Sequence, residues 1–303
     1  MDGSGISVVL PARNEAASLE TLLPRIRSVV PGAEVIVVDD GSTDATAGVA
    51  QAAGARVVSH PIAMGNGAAI KSGARAATRE TLVLMDADGQ HPPEAIPSLL
   101  EQLGRGFGMA VGSRSRSGQA SAGRAIANGF YNRFASWITG YAIRDLTSGF
   151  RAASTARFRE FLALLPNRFS YPTTITMAFL KMGYGIAYVP VDVAQRIGTS
   201  HIRPFRDGIR FLLIIFRIAT LFSPLKLFVP AAALCWLLGF GNYARTYLAE
   251  GRFTNMSALL LLAGLLILFA GLLAEQVCMA TYVALTARQP APPGEAAEAS
   301  RRP

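Results

Sequence analysis

Apolar positions in this chain come first in short continuous runs and later in long ones. Ile6 to Leu10 and Glu34 to Val38 are largely β-branched stretches of strand length, and a further run closes at Val83-Leu84-Met85. A helical pattern follows the first run, and another is predicted over Ala68 to Thr78. Strands that are apolar throughout are buried on both faces. Their alternation with amphipathic helices predicts an α/β fold with a mostly parallel, Rossmann-like sheet.

Further along, the pattern changes. No charge occurs from Leu227 to about Tyr243, nor from Met256 to Ala274. Each stretch approaches the length of about 20 residues that crosses a bilayer, so two transmembrane helices are predicted. Just before them, the apolar segment Asp207 to Phe222 carries arginines at fixed spacing. On a helix Arg206, Arg210 and Arg217 fall within about 40° of one another, which predicts an amphipathic helix lying in the membrane interface. The expected organisation is an α/β domain over 1–202, a juxtamembrane helix over 203–226, two spans within 227–286 and a disordered Pro-, Ala- and Glu-rich tail over 287–303.

A hydrophobic content of 51% agrees with a membrane-embedded part. The net charge of +9 raises nucleic acid as a partner, but much of the excess is juxtamembrane and the aromatics show no stacking pattern. A lipid bilayer and a phosphorylated acceptor fit better, and no nucleic-acid partner is expected. Arg203, Arg206, Arg210, Arg217 and Lys226 precede the first span, while the connecting loop holds only Arg245 and Arg252. That bias places the leading domain and both termini on the cytoplasmic side. The first apolar run leads directly into domain sequence, so no signal peptide is expected. Cys235 and Cys278 fall in the predicted spans, and His60, His91 and His201 lack metal-ligand spacing. Glu275 and Gln276, at the end of the second charge-free stretch, are expected at the cytoplasmic interface.

Three polar clusters each follow an apolar run: Pro11 to Glu15, Asp39 to Asp44 and Asp86 to Gln90. In open α/β sheets ligands bind beyond the carboxyl ends of the strands, so the three can line one crevice. Asp86 and Asp88 sit two residues apart just past a strand. Both can reach one divalent cation, and hard cations such as Mg²⁺ take carboxylate oxygens together with substrate phosphates. The segment reads as a nucleotide-phosphate and metal site. Gly65-Asn66-Gly67 has neither Walker nor dinucleotide spacing and reads as a turn opening the next helix.

The segments VVLPARNEAASL, VIVVDDGSTDAT, MGNGAAIKSG, LMDADGQHPPE, VGSR and DLTSGFRA, in this order, resemble family 2 glycosyltransferases of the GT-A fold. RAIANGFYNR and RIGTSH narrow the resemblance to polyprenyl-phosphate glycosyltransferases, including dolichyl-phosphate mannose synthases and bacterial undecaprenyl-phosphate sugar transferases. The resemblance implies inverting transfer of a sugar from a UDP- or GDP-linked donor to undecaprenyl or dolichyl phosphate, assisted by Mg²⁺ or Mn²⁺, at the cytoplasmic face of a bacterial inner membrane. Asp86, Asp88 and Gln90 match the metal positions, with Asp88 sharing in catalysis. Pro11, Arg13 and Glu15 match nucleoside-holding positions together with Asp39 or Asp40, between which the sequence does not choose. Arg114 and Arg124, with Asn128 and Arg196, match phosphate-contacting positions that would hold the anionic acceptor close to the anomeric carbon. Arg13, Arg151 and Lys71 are further candidates for that task. Asp145 either bonds donor hydroxyls or caps a helix.

Phe169 to Met177 departs from many relatives, which carry an acid in that neighbourhood, and this leaves the sugar open. A processive synthase would add a Gln-x-x-Arg-Trp motif, and neither Trp137 nor Trp236 lies in one. A nucleotidyltransferase would want a glycine-rich basic loop where this chain has PARNEA. Another lipid or glycan acceptor, a non-catalytic nucleotide-binding scaffold and a homo-oligomer stay open.

Overall fold

The computed structural model of the chain describes residues 3–114, 122–167, 171–192, 216, 219, 220 and 222–286. It divides into two units, 1–211 and 212–303.

The first unit runs β1 (Ile6–Ala12), α1 (Ala16–Val29), β2 (Glu34–Asp39), α2 (Thr46–Ala52), β3 (Arg56–Ser59), α3 (Asn66–Ala76), β4 (Thr81–Leu84), a 3₁₀ turn (Pro93–Ala95), α4 (Ile96–Gly104) and β5 (Met109–Arg114). It continues with α5 (Ala122–Thr139), β6 (Arg151–Ser154), α6 (Thr155–Glu160), α7 (Tyr171–Lys181) and β7 (Ile186–Val191). The apolar runs become the central strands: Val8, Val9 and Leu10 of β1 and Ile36, Val37 and Val38 of β2 are wholly buried. Helix α1 covers one face with Leu19, Leu22, Leu23 and Ile26, an i, i+3, i+4, i+7 stripe. Each such side chain contributes about 1.5–3 kcal/mol by leaving water.

The seven strands lie in the order β3-β2-β1-β4-β6-β5-β7. All run parallel except β6, which is antiparallel to both neighbours. The expected mostly parallel sheet is therefore present, with one reversal. β1 lies between β2 and β4, so the chain leaves it in opposite directions, and this change of direction is where ligands bind in such sheets. The reversal of β6 has a local consequence. Its first residue, Arg151, pairs with Leu84 at the carboxyl end of β4, so the loop preceding β6 arrives at the same edge as the β4 loop.

The second unit contains an antiparallel helical hairpin, α8 (Pro224–Glu250) and α9 (Asn255–Thr286). Both helices are long and apolar enough to cross a membrane, with mean hydropathies of 1.5 and 2.6 over their most apolar windows. Only 17% of either window is buried, which distinguishes them from the core helices of a soluble domain. Apart from Pro224 at the start of α8, the described residues they bury are small and repeat every seven positions: Ala232, Gly239 and Thr246 on α8, and Ser257, Gly264, Gly271 and Cys278 on α9. Small residues at this spacing let two backbones approach in a left-handed crossing. Trp236 Nε1 donates to Leu261 O across the seam at 3.1 Å, and Asn242 Nδ2 donates to Thr254 Oγ1 and Ser257 Oγ at 3.1 and 3.0 Å.

Charges mark both ends of the hairpin. Gly271 packs on Phe228 and Leu225, which puts Glu275, one turn further along α9, at the level where α8 begins, near Lys226 in sequence register. Arg245, Glu250 and Arg252 gather at the turn. At 1.5 Å per residue, Lys226 and Arg245 are about 28 Å apart along α8, close to the hydrocarbon thickness of about 30 Å. The juxtamembrane helix expected over Asp207 to Phe222 and the tail after Thr286 lie almost wholly outside the described residues.

Candidate active site

The loops that follow β1 and β2 are stapled together. Asn14 stands at φ 55°, among the described residues the single non-glycine at positive φ, a conformation that Asn tolerates better than most. Its side chain accepts from Thr43 N at 2.8 Å while its own N–H donates to Ser42 Oγ at 3.0 Å. Glu15 N donates to Thr46 Oγ1 at 2.9 Å, and Ala16 N to Asp44 Oδ2 at 3.3 Å. Asp44 also accepts from Thr46. One rigid ridge results, carrying Pro11, the exposed Arg13 and the half-buried Glu15, whose carboxylate accepts from Ser18 Oγ.

The two adjacent aspartates do different things. Asp39 Oδ1 accepts from Ser42 N at 2.9 Å, closing its own turn. Asp40 points the other way. Its Oδ1 takes Met64 N and His60 Nδ1, both at 2.8 Å, and its Oδ2 takes Gly65 N at 2.7 Å. Burial alone would raise the Asp40 pKa, but the hydrogen bonds from His60, Met64 and Gly65 hold it below the usual carboxylate value. His60 Nε2 lies 2.9 Å from Ser72 Oγ on α3, so Asp40 fixes the segment leading into that helix.

Asp86 emerges from β4 beneath the loop that precedes β6. A Cβ on Gly149 would lie 2.7 Å from Asp86 Oδ2 and 3.0 Å from Oδ1, so only glycine leaves room for this carboxylate. His91 stands behind it, its ring stacked on Phe150 at 5.3 Å and its Nδ1 4.0 Å from Asp86 Oδ2. Asp88 Oδ1 accepts from Gln90 N at 3.1 Å, shaping the turn between them.

The loop carrying Gly149 is held from beneath by Arg151, among the described residues the largest fully buried side chain. Its guanidinium donates to Ser148 O at 2.7 Å, to Leu146 O at 3.3 Å and to Thr176 Oγ1 at 2.6 Å. Burial pushes the Arg151 pKa down, and the neighbouring Tyr171, Tyr188, Asp145 and Asp86 push it back. Tyr171 Oη adds a hydrogen bond to Gly149 O at 3.3 Å. Asp145 Oδ1 accepts from Thr147 N and Ser148 N, both at 3.0 Å. This is an Asx-type turn in a loop, so the helix-cap alternative for Asp145 does not apply.

The residues present suit a hard divalent cation. Asp86, Asp88 and Gln90 offer oxygen donors of the type such ions prefer, and the Gly149 notch keeps the Asp86 carboxylate at the crevice. Among the described residues no three His, Cys, Asp or Glu side chains gather as a closed metal cage. A cation here would take its remaining ligands from a bound diphosphate and water.

Pro11, Arg13, Glu15, Asp39, Asp40, Asp86, Asp88, Gln90 and Asp145 thus all stand in one unit, on strand ends or the loops beside them. Pro11 and Asp39 sit at the carboxyl ends of β1 and β2, Arg13, Glu15 and Asp40 follow those strands, the next three follow β4, and Asp145 lies on the loop before β6. Arg114 ends β5, and Arg124 and Asn128 belong to α5, but their side chains lie outside the described part of the structure, as does Arg196 altogether. Two further candidates for phosphate contact are corrected. Arg151 is buried and spends its donors on the loop before β6. Lys71 is tied to Leu165 O at 3.1 Å and to Asn167 Oδ1. The roles of Gly149, His91, Tyr171 and Asn14 are absent from the sequence reading. For His91 the signal was there, three residues past Asp88.

The family described as glycosyl transferase family 2 matches residues 7–163, and one described as GtrB C-terminal hairpin matches residues 223–280. An undecaprenyl-phosphate mannosyltransferase of Micrococcus luteus is 31% identical over 209 residues, covering 63% of this chain and 84% of that protein. An undecaprenyl-phosphate 4-deoxy-4-formamido-L-arabinose transferase of Pseudomonas aeruginosa is 29% identical over 292 residues, or 89% of this chain and 84% of the relative. Among solved structures, glucosyl-3-phosphoglycerate synthase from Mycobacterium tuberculosis, in complex with Mn²⁺ and UDP-glucose, is 30% identical with a TM-score of 0.53. The match spans 70% of this chain and 79% of the synthase.

Proposed function

The chain belongs to glycosyl transferase family 2 and is a glycosyltransferase, and from this premise we propose that it moves a sugar from a UDP- or GDP-linked donor to a polyprenyl phosphate, with inversion, at the cytoplasmic face of a membrane. The observation that carries this reading is the Asp86 carboxylate seated against Gly149 at the mouth of β4, on a chain that also carries a hairpin fit to span a bilayer. Relatives named for transfer to undecaprenyl phosphate, one of them matched over 89% of this chain, support the acceptor.

In this reading Asp86, Asp88 and Gln90 hold a Mg²⁺ or Mn²⁺ ion, a choice supported by the Mn²⁺ of the related synthase. When bound, the cation offsets charge on the departing nucleoside diphosphate. Pro11, Arg13, Glu15 and the Asp39-Asp40 pair orient the nucleoside. The acceptor is already an anion near neutral pH, so no strong base is needed; it needs cations that bring it within reach of the anomeric carbon. Arg114, Arg124, Asn128 and Arg196 take that role. Asp145 and its loop, held by Arg151, face the donor sugar, and Asp88 shares in catalysis.

The topology follows from basic residues concentrated before α8, with Lys226 at that end. Both termini and the catalytic unit are cytoplasmic, the expected setting is a bacterial inner membrane, and the hairpin anchors the enzyme. Incubating purified enzyme and Asp88→Ala with labelled UDP- and GDP-sugars and undecaprenyl phosphate tests the reading. Label should enter the lipid phase with one class of donor and only with the wild type. Equal transfer by the variant would exclude Asp88 from the chemistry.

A further inference from the structure

The loop between α5 and β6 is fastened from two sides. Arg151 holds it from the sheet, through Leu146 O at 3.3 Å and Ser148 O at 2.7 Å. From the helix it is gripped by a single carboxamide. Asn132 Nδ2 donates to Arg144 O at 2.6 Å, and Asn132 Oδ1 accepts from Leu146 N at 3.2 Å. These are the two peptide groups on either side of Asp145, so one forked side chain fixes both where that residue sits and how its backbone is turned. The buried Leu146 is pinned at both of its polar groups, the N–H by Asn132 and the C=O by Arg151. Ser136, one turn further along α5, extends the seam: its Oγ accepts from Ile143 N at 2.9 Å and donates to Asn132 O at 2.6 Å.

The grip needs a donor and an acceptor on one planar group. A carboxylate of the same shape would offer two acceptors and set one of them against Arg144 O, and a leucine would offer neither. What is held bears on the chemistry: Asp145 Oδ1 closes its turn on Thr147 N and Ser148 N, and Gly149, next in the chain, abuts Asp86. On the helix, positions 124, 128 and 132 recur every four residues and share one side of α5. Asn132 therefore joins the helix proposed to contact the acceptor to the loop proposed to face the donor sugar. A misplacement of about 1 Å between reacting partners costs on the order of 10²-fold in rate, so the alignment of these two pieces matters. We propose that Asn132 is a positioning residue, which acts through Asp145 by clamping both peptide groups beside it and so aims that carboxylate at the donor sugar. This role rests on the reading that Asp145 and its loop face the sugar.

Binding is measured by calorimetry on full-length enzyme in detergent with Mn²⁺. UDP-glucose and GDP-mannose serve as sugar nucleotides, and UDP and GDP as their sugar-free counterparts. Asn132→Leu should weaken the sugar nucleotide that wild type binds by about tenfold and leave the matching nucleoside diphosphate within about twofold. Added to Asp145→Ala, it should weaken that ligand no further than Asp145→Ala does by itself, because the two residues act in series.

Asn132→Asp, of the same size, should show the same selective loss and stands in if Asn132→Leu folds poorly. Equal weakening of both ligands means that Asn132 only supports the fold, and overturns the role. Unchanged binding in the Asn132 variant, or a further loss of the same size in the double variant, overturns it while the donor reading stands. If Asp145→Ala leaves the sugar nucleotide as tight as in wild type, the loop does not face the sugar and the role fails with that reading. If wild type binds none of the four nucleotides, the donor reading itself fails and takes this role with it.

Discussion

Gly149 and Asp86 occupy adjoining space at the carboxyl edge of the sheet: a methyl group on Gly149 would sit 2.7 Å from Asp86 Oδ2. The antiparallel β6 brings them together, because its preceding loop ends where β4 ends. Gly149→Ala must therefore turn the Asp86 carboxylate away from the crevice. A displacement of about 1 Å at such a group costs on the order of 10²-fold in rate. Steady-state kinetics over a range of Mn²⁺ should show kcat/KM down by about that factor, without rescue by excess metal, and with little change in thermal stability.

Arg151 predicts a different signature. Its removal leaves Ser148 O, Leu146 O and Thr176 Oγ1 in the interior without their donor. Each buried group deprived of its partner costs about 1–3 kcal/mol, so Arg151→Met should lower stability by about 3–5 kcal/mol. In a unit of this size that is a fall in Tm of roughly 10 °C, readable by differential scanning fluorimetry in detergent. A phosphate-contacting arginine would instead raise KM with Tm unchanged.

Asp40 and Glu34 make stability acid-sensitive. In both, burial raises the pKa and hydrogen bonds outweigh it: from His60, Met64 and Gly65 for Asp40, and from Ser7 and Thr78 for Glu34. Carboxylates depressed in the folded state contribute fully above their unfolded pKa values of about 3.9 and 4.3, and that contribution is lost as pH falls through the lower folded values. Asp40→Asn should be less stable than wild type at pH 7, with the two Tm curves converging below about pH 4. Parallel curves down to acid would contradict the assignment.

The hairpin seam predicts a steric effect between the two long helices. A Cβ at Gly264 would lie 2.5 Å from Trp236 Cδ1 and Nε1 and 3.1 Å from Ala232 O. Gly264→Leu should separate the helices and break the Trp236 to Leu261 hydrogen bond, costing about 1–3 kcal/mol. Trp236 emission should shift and the thermal midpoint in detergent fall. Leu265→Ala, at an exposed position of the same helix, should do neither.

The sheet was legible because the centres of β1, β2 and β4 are short apolar runs rich in β-branched residues, each leading into a polar cluster. The two candidate spans were legible from absence of charge alone. β6 was not, since Arg-Ala-Ala-Ser has neither the length nor the β-branching that marks a strand, and its direction is set by pairing with Leu84 and Val111. Arg151 read as a candidate phosphate contact, because nothing in the local pattern shows that the carbonyls of Leu146 and Ser148 and the hydroxyl of Thr176 receive its guanidinium. The two aspartates after β2 are equivalent in sequence and separate only in space, where the 60–65 segment folds over Asp40 and leaves Asp39 to its own turn. Contacts such as Asp86 with Gly149 link residues far apart in the chain, and local pattern carries no trace of them.

The most direct measurement of the central claim compares two acceptors that differ in one group. Enzyme in detergent, with Mn²⁺ and its labelled nucleotide-sugar, is given undecaprenyl phosphate or undecaprenol, and the lipid product is weighed by mass spectrometry. Sugar joined to the phosphate, and none on the alcohol, is the predicted result; transfer to undecaprenol, or to neither lipid while the donor is consumed, would contradict it.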